Sequence, residues 1–186
     1  MVVALLAWGC VATNPHSPFM RPAPSDPDPE LAPPNRARVV FVRTTSGVGG
    51  AYLVIDENGR FLGESAAGTR FSVWVAAGAH YFIAWGSGTT EALHATLAPG
   101  RTYWVLVSGK PGLWAITPDN GLMKEIPSYL AESKEVVPDT EAGQAHLDRL
   151  GGRVAKAVKE GIATYQAYSD KDRADATLLP GDDIPR

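Results

Sequence analysis

Among the residue types that do chemistry, this chain carries one cysteine, four histidines and five tryptophans in 186 residues. The histidines stand at His16, His80, His94 and His146, with no His-x-His or His-x-x-x-His spacing to aim two imidazoles at one metal ion. His80 and His94 could meet only if their strands pair, with Glu91 or Asp56 as further ligands. Without supporting spacing they read as turn and surface histidines, and neither a metal nor any other cofactor is expected. Ser87, in Gly86-Ser87-Gly88, lacks the Gly-x-Ser-x-Gly frame that lifts a nucleophile onto a strand-to-helix turn, so it reads as part of a hairpin loop. Gly47-Val48-Gly49-Gly50 has no following helix whose amides could hold a phosphate. The adjacent acids Asp56 and Glu57 flank a tight turn and read as solvated. No catalytic residue is assigned, and a non-enzymatic role is expected.

The tryptophans are the remaining lead. Trp74 shares a strand face with Arg70 and Ser72, and Trp74, Trp104 and Trp114 could together form an aromatic platform for a glycan or a peptide. The competing expectation is that a helix covers them, because Trp104 shares its face with Leu106.

Composition narrows the classes. Apolar residues make up 45% and charged residues 20%, the proportions of one globular domain plus an appendage. With 17 Lys and Arg against 20 Asp and Glu, the net charge of −3 leaves no cationic excess to displace counterions from a phosphate backbone. Nucleic acid is therefore not an expected partner. A lone cysteine excludes an internal disulfide and a multi-cysteine zinc cluster. No apolar run reaches the ~18 residues that span a bilayer as a helix.

The elements that must position these side chains follow from periodicity. Arg38–Arg43 is apolar on both parities and reads as a buried strand. Tyr52–Asp56 and Arg60–Gly63 form a hairpin across Asn58-Gly59, a pair suited to a type I′ turn. Arg70–Val75, His80–Trp85, Leu93–Leu97, Tyr103–Ser108 and Leu113–Ile116 continue the series. The sum is a mainly β fold, an antiparallel β-sandwich of about eight short strands spanning 36–118. Tyr103–Ser108 is apolar on both faces and should be central, with an element covering its Trp104 side. The segment 119–186 supplies that element as an amphipathic helix whose stripe is Leu147, Leu150, Val154, Ala157, Val158, Ile162, Tyr165 and Tyr168. Asp139 is its N-cap, and Gly143, Gly151, Gly152 and Gly161 each weaken it by roughly 1 kcal/mol, with a break expected near Gly151-Gly152. Leu122–Glu135 reads as a short helix interrupted at Pro127, and the tail from Asp170 onward as only partly ordered.

Ahead of the domain, prolines 15, 18, 22, 24, 27, 29, 33 and 34 make 11–35 a linker. Extended at ~3.1 Å per residue, some twenty such residues would reach roughly 60 Å. Residues 1–10 form a short apolar leader ending Leu6-Ala7-Trp8-Gly9-Cys10, which resembles the tail of a bacterial lipoprotein signal peptide. The resemblance implies cleavage before Cys10 and acylation of that residue, and therefore a membrane partner reached through a lipid anchor. With Val11 in place of the aspartate that tends to hold such proteins at the inner membrane, it implies the outer membrane, with the domain facing the periplasm or the cell surface.

The pattern Ile55-Asp56-x-Asn58-Gly59-x-x-Leu62-Gly63-Glu64, Gly68-Thr69-x-Phe71, Val75-x-x-Gly78-x-His80 and Leu97-x-x-Gly100-x-x-Tyr103 is similar to a family of small bacterial lipoproteins with a β-sandwich domain of unknown function. The shared positions are turn formers and core residues, so the likeness implies a fold and carries no catalytic residue. Two roles are expected from it: a non-enzymatic envelope lipoprotein, or a tethered or secreted β-module that binds an envelope protein, glycan or peptide through its aromatic face.

Overall fold

The computed structural model describes residues 17–24, 33–45, 50–86, 88–108 and 112–184. Cys10 with its leader, His16, Ser87, Gly47-Val48-Gly49 and much of the proline linker lie outside the described residues. In chain order the strands are β1 (Met20–Pro22), β2 (Arg36–Arg43), β3 (Tyr52–Asp56), β4 (Phe61–Ser65), β5 (Thr69–Ala76), β6 (Gly78–Gly86), β7 (Thr89–Leu97), β8 (Thr102–Ser108) and β9 (Gly112–Ile116). A 3-10 turn (Leu122–Glu125) leads into α1 (Ile126–Glu132). Then come β10 (Lys134–Pro138), α2 (Thr140–Leu150), α3 (Gly152–Gln166), α4 (Asp170–Asp175) and β11 (Thr177–Leu178).

The fold is mainly β and is built on two sheets, one ordered β1-β10-β5-β2-β8-β9 and the other β11-β7-β6-β3-β4. Both are mixed, not antiparallel as the sequence suggests: β2 runs parallel to β8, β10 to β5 and β11 to β7. The eight strands read from periodicity correspond to β2–β9, and the described residues hold eleven. The three extra strands are short, and β10 is mostly exposed. Their backbone pairing holds them in place, and no alternation of apolar side chains betrays them.

Register assigns the faces. Ala37, Val39 and Phe41 lie level with Val75, Val73 and Phe71 on β5, and Val39 and Phe41 with Tyr103 and Val105 on β8. These side chains join Phe82, Leu93, Ala95 and Leu97 of the second sheet in one buried core. Phe41 stacks on Phe71 at 5.1 Å and meets Phe82 edge-on at 5.4 Å, so aromatic contacts tie the sheets together. Arg43, at the end of β2, is fully buried. Its guanidinium donates to the Gly50 carbonyl (2.7 Å) and the Ser65 carbonyl (3.1 Å) and lies 5.0 Å from the centre of the Tyr52 ring. Burial lowers its pKa.

The turn after β3 differs from the type I′ expectation. Asn58 keeps a negative φ while Gly59 has φ 74°, four residues join β3 to β4, and the pairing of the two strands shifts register between Val54 and Ile55. The Asp56 carboxylate explains the choice. Fully buried, it accepts from the Asn58 and Arg60 amides at 2.9 Å and from Arg60 Nε at 2.5 Å. The acidic pair is therefore not solvated. Glu57 accepts from the Tyr81 amide (3.2 Å) and meets His80 Nδ1 at 3.1 Å.

The amphipathic segment breaks at Gly151, whose φ is 53°, and Asp139 caps α2 by accepting from the Ala142 amide at 3.1 Å. The helical pair does not cover the Trp104 face. It lies on the outer face of the second sheet, α2 over β4 and α3 over β6 and β7. The reason is steric as well as apolar. Gly143 faces the Phe61 ring, and Gly161 sits where a Cβ would be 3.0 Å from Ile83. These glycines, read from sequence as weak points, let helix and sheet approach closely. Pro127 opens α1 and does not interrupt it.

Both ends of the described chain dock. β1 pairs with β10, Met20 is buried, and Phe19 packs on Phe61 (6.0 Å) and His146 (4.8 Å), so part of the expected solvated linker belongs to the domain. The edge position satisfies Pro22, which has no amide to donate. The tail is also tied down: α4 leads into β11, Ala176 and Leu178 are buried, and Tyr103 Oη donates to the Pro180 carbonyl at 3.1 Å.

Two outcomes follow. Gly143→Ala gains helix propensity yet will lower stability by about 1–3 kcal/mol, because the new methyl overlaps the buried Phe61 ring; urea denaturation measures it. His94, against Tyr81 (5.0 Å) and Tyr165 (6.0 Å), is held below the ordinary histidine pKa by burial. Its stabilising contribution is present above the unfolded value of ~6.5 and is lost as pH falls through the folded one. Melting temperatures between pH 7.5 and 5 will fall for the native protein and fall less for His94→Phe.

Candidate binding groove on the tryptophan face

The outer face of the first sheet carries alternate residues of β5, β2, β8 and β9. Arg38 lies level with Trp74 and Thr102, Val40 with Ser72 and Trp104, and Trp104 with Ile116. Leu106 lies level with Val42 and Trp114. Trp74, Trp104 and Trp114 therefore share a face, as alternation predicts. Trp74 stands apart from the other two, because β2 separates its strand from that of Trp104 and puts those residues ~10 Å apart across the sheet, whereas Trp114 is the diagonal neighbour of Trp104 on the adjacent strand. All three are half-buried.

Cover on this face comes from α1 and its preceding turn. Val42, Ile116 and Ile126 form a small core with Trp104, Leu106, Leu122, Met123, Tyr129 and Ile184 around it. The Tyr129 phenol is pushed above its ordinary pKa by burial, with the Glu125 and Glu132 carboxylates adding to the effect. Seven residues of α1 cannot cover four strands, and a groove of about 450 Å³ remains beside it. Val40, Ser72, Thr102 and Trp104 contribute to its floor, Ile126 and Leu130 come from α1, and Ile184 from the tail. Leu130 is 41% exposed.

Three charged side chains line the groove: Arg38, Arg70 and Glu135. Arg70 is engaged structurally. Its Nη1 donates to the carbonyls of Ser133 and Leu130, and its Nη2 donates to Glu135 Oε2 at 3.1 Å. Ser133 Oγ in turn donates to the Tyr129 carbonyl at 2.6 Å, which closes the end of α1. Arg38 is held more loosely. Its Nη2 donates to Ser72 Oγ at 2.9 Å and lies 3.9 Å from Glu135 Oε1, and its side chain is 34% exposed. The groove thus combines an indole and aliphatic surface with two guanidinium groups sharing one carboxylate.

Among the described residues the histidines do not build a second site. His80 and His94 sit on paired strands, but Tyr81 is the residue level with His94, so the two imidazoles project from opposite faces of the sheet. His80 Nδ1 contacts Glu57 at 3.1 Å and Nε2 contacts the Ala76 carbonyl at 2.9 Å, so both nitrogens face acceptors and the ring clamps the strand to the turn. Under α3, Tyr168 donates to Glu91, and its pKa is raised by burial and then by that carboxylate. Tyr165 shares a hydrogen bond with Thr177 at 2.8 Å. Among the described residues no group of three His, Cys, Asp or Glu side chains could hold a metal ion. No helix of the described residues is long and apolar enough to cross a membrane.

Of the groove's lining, the sequence had pointed to Trp104 and to the face of Arg70 and Ser72, and not to Arg38, Glu135 or Leu130. For Arg38, the signal was there: it begins a run whose other parity fills the core. Glu135 gave none, because β10 has no periodicity of its own. No family model, curated protein or solved structure matches this chain.

The two arginines should separate by mutation. Arg70→Met breaks charge-assisted bonds to α1 and will cost about 2 kcal/mol, whereas Arg38→Met will cost less than about 1 kcal/mol. Urea midpoints of the two variants, measured side by side, check the order.

Proposed function

We propose that the chain is a non-enzymatic envelope lipoprotein, acylated at Cys10 and held at the outer membrane, whose β domain binds a ligand in the groove over Trp104. The two sheets act as the layers of a sandwich joined through Phe41, Phe71 and Phe82, a rigid support for that surface. The observation that carries the binding role is the groove itself. An indole, aliphatic side chains and two arginines meet in a half-open space that the short α1 leaves uncovered. Cys10, the only cysteine, at the end of an apolar leader, supports the anchor.

On this reading the tether is shorter than the proline count suggests. The chain docks from Ser17 onward, where the Ser17 hydroxyl donates to Glu64. From Cys10 to Ser17 it can span at most ~25 Å at ~3.5 Å per residue, so the domain stays close to the bilayer.

Metabolic labelling with a radioactive fatty acid tests the anchor. Label is expected on the native chain and in the membrane fraction, and is expected to vanish in Cys10→Ala expressed with the same functional leader. An unlabelled native chain recovered wholly in the soluble fraction would overturn it.

A further inference from the structure

We propose that the groove takes the free C-terminal carboxylate of a peptide ending in an apolar residue, with Arg38 as the receiving cation and Glu135 as the internal carboxylate that the ligand displaces. This inference rests on the reading of the domain as a binding module, and it names the ligand class.

The charge of the groove favours an anion. Glu135 marks a carboxylate position: its two oxygens face Arg70 at 3.1 Å and Arg38 at 3.9 Å. With two arginines and one glutamate among the lining residues, the groove carries one positive charge in excess. Glu135 is 44% exposed and sits on the mostly exposed strand β10, so water can replace its contacts when it moves aside. Arg70 is fixed by the carbonyls at the end of α1 and cannot follow a ligand. Arg38, with one hydroxyl partner and a long ion pair, can turn to present two parallel N–H groups to an incoming carboxylate.

The apolar lining selects what carries that carboxylate. Trp104, Ile126, Leu130 and Ile184 offer an aliphatic side chain apolar contact beside the guanidinium, in a space of about 450 Å³. The protein's own tail already places one apolar residue on this face. The Ile184 amide donates to the Thr102 carbonyl at 3.0 Å, and the Ile184 side chain packs into the small core around Trp104. An apolar residue held by a backbone hydrogen bond to the edge of the groove is thus a form this face accepts. A sugar would want an open indole face and several hydroxyl partners, whereas Trp104 is half-buried beside α1 and Trp74 stands two strands away across the sheet.

The test uses the full chain carrying Cys10→Ser and N-terminally fluorescent tetrapeptides ending in Leu, Ile, Val or Phe, each with a free carboxylate or as the amide. Fluorescence anisotropy should show at least one free-acid peptide binding about tenfold more tightly than its amide. Arg38→Gln should weaken that binding about tenfold while its melting temperature stays near native. Glu135→Gln should tighten binding several-fold, because it removes the internal competitor without removing either arginine. That gain separates ligand competition from a merely structural salt bridge, whose loss would loosen the groove and weaken binding. Equal affinity for acid and amide, or unchanged or weaker binding in Glu135→Gln, overturns the proposal while leaving a binding role standing. Soluble glycan fragments quenching tryptophan fluorescence where the peptides do not would overturn it as well. Binding of none of these probes up to ~1 mM would remove both the ligand class and the binding role.

Discussion

The close approach of α2 and α3 to the second sheet governs the rest of the structure. A domain of two sheets has two outward faces, and this chain supplies one long amphipathic helical segment to cover them. Gly143 against Phe61 and Gly161 against Ile83 let that segment lie close on β4, β6 and β7, where Leu147 and Tyr165 fill the interface. Contact at this distance gives dense packing, and the helical pair cannot serve the other sheet as well.

The first sheet is left with α1, seven residues long, and with the tail at Ile184. That shortage makes the groove. Where a long helix would have sealed Trp104 completely, α1 is pinned at its end by Arg70 and leaves Arg38 and Glu135 facing solvent on the uncovered strands. The surface read as a binding face is what remains once the apolar helical cover has been used on the opposite side of the protein.

The ends of the chain take part in the same arrangement. β1 adds to β10, and β10 adds to β5, which carries Glu135 to the groove rim. α4 and β11 return the tail to β7, from where it reaches Tyr103 and then Thr102. The groove is therefore assembled from residues far apart in sequence, and the anchor proposed at Cys10 lies a short span from the strand that begins this chain of contacts.

Several features could be read directly from the amino-acid order. Alternation at Phe71, Val73 and Val75 fixed which side of β5 enters the core, because a strand has period two and water penalises the wrong parity, whereas β2 and β8 are apolar on both faces and showed a buried strand without showing its inward side. The stripe from Leu147 to Tyr168 fixed a helical face, and Asp139 and Gly151 fixed where it starts and breaks. Sequence could not decide which sheet that face would meet, since an apolar stripe fits any apolar surface and only the glycine contacts discriminate. Nor could it find β1, β10 and β11, or the burial of Asp56 and Arg43. Those depend on partners distant along the chain, on backbone pairing and on hydrogen bonds to buried charge, and none of these leaves a periodic trace in local sequence.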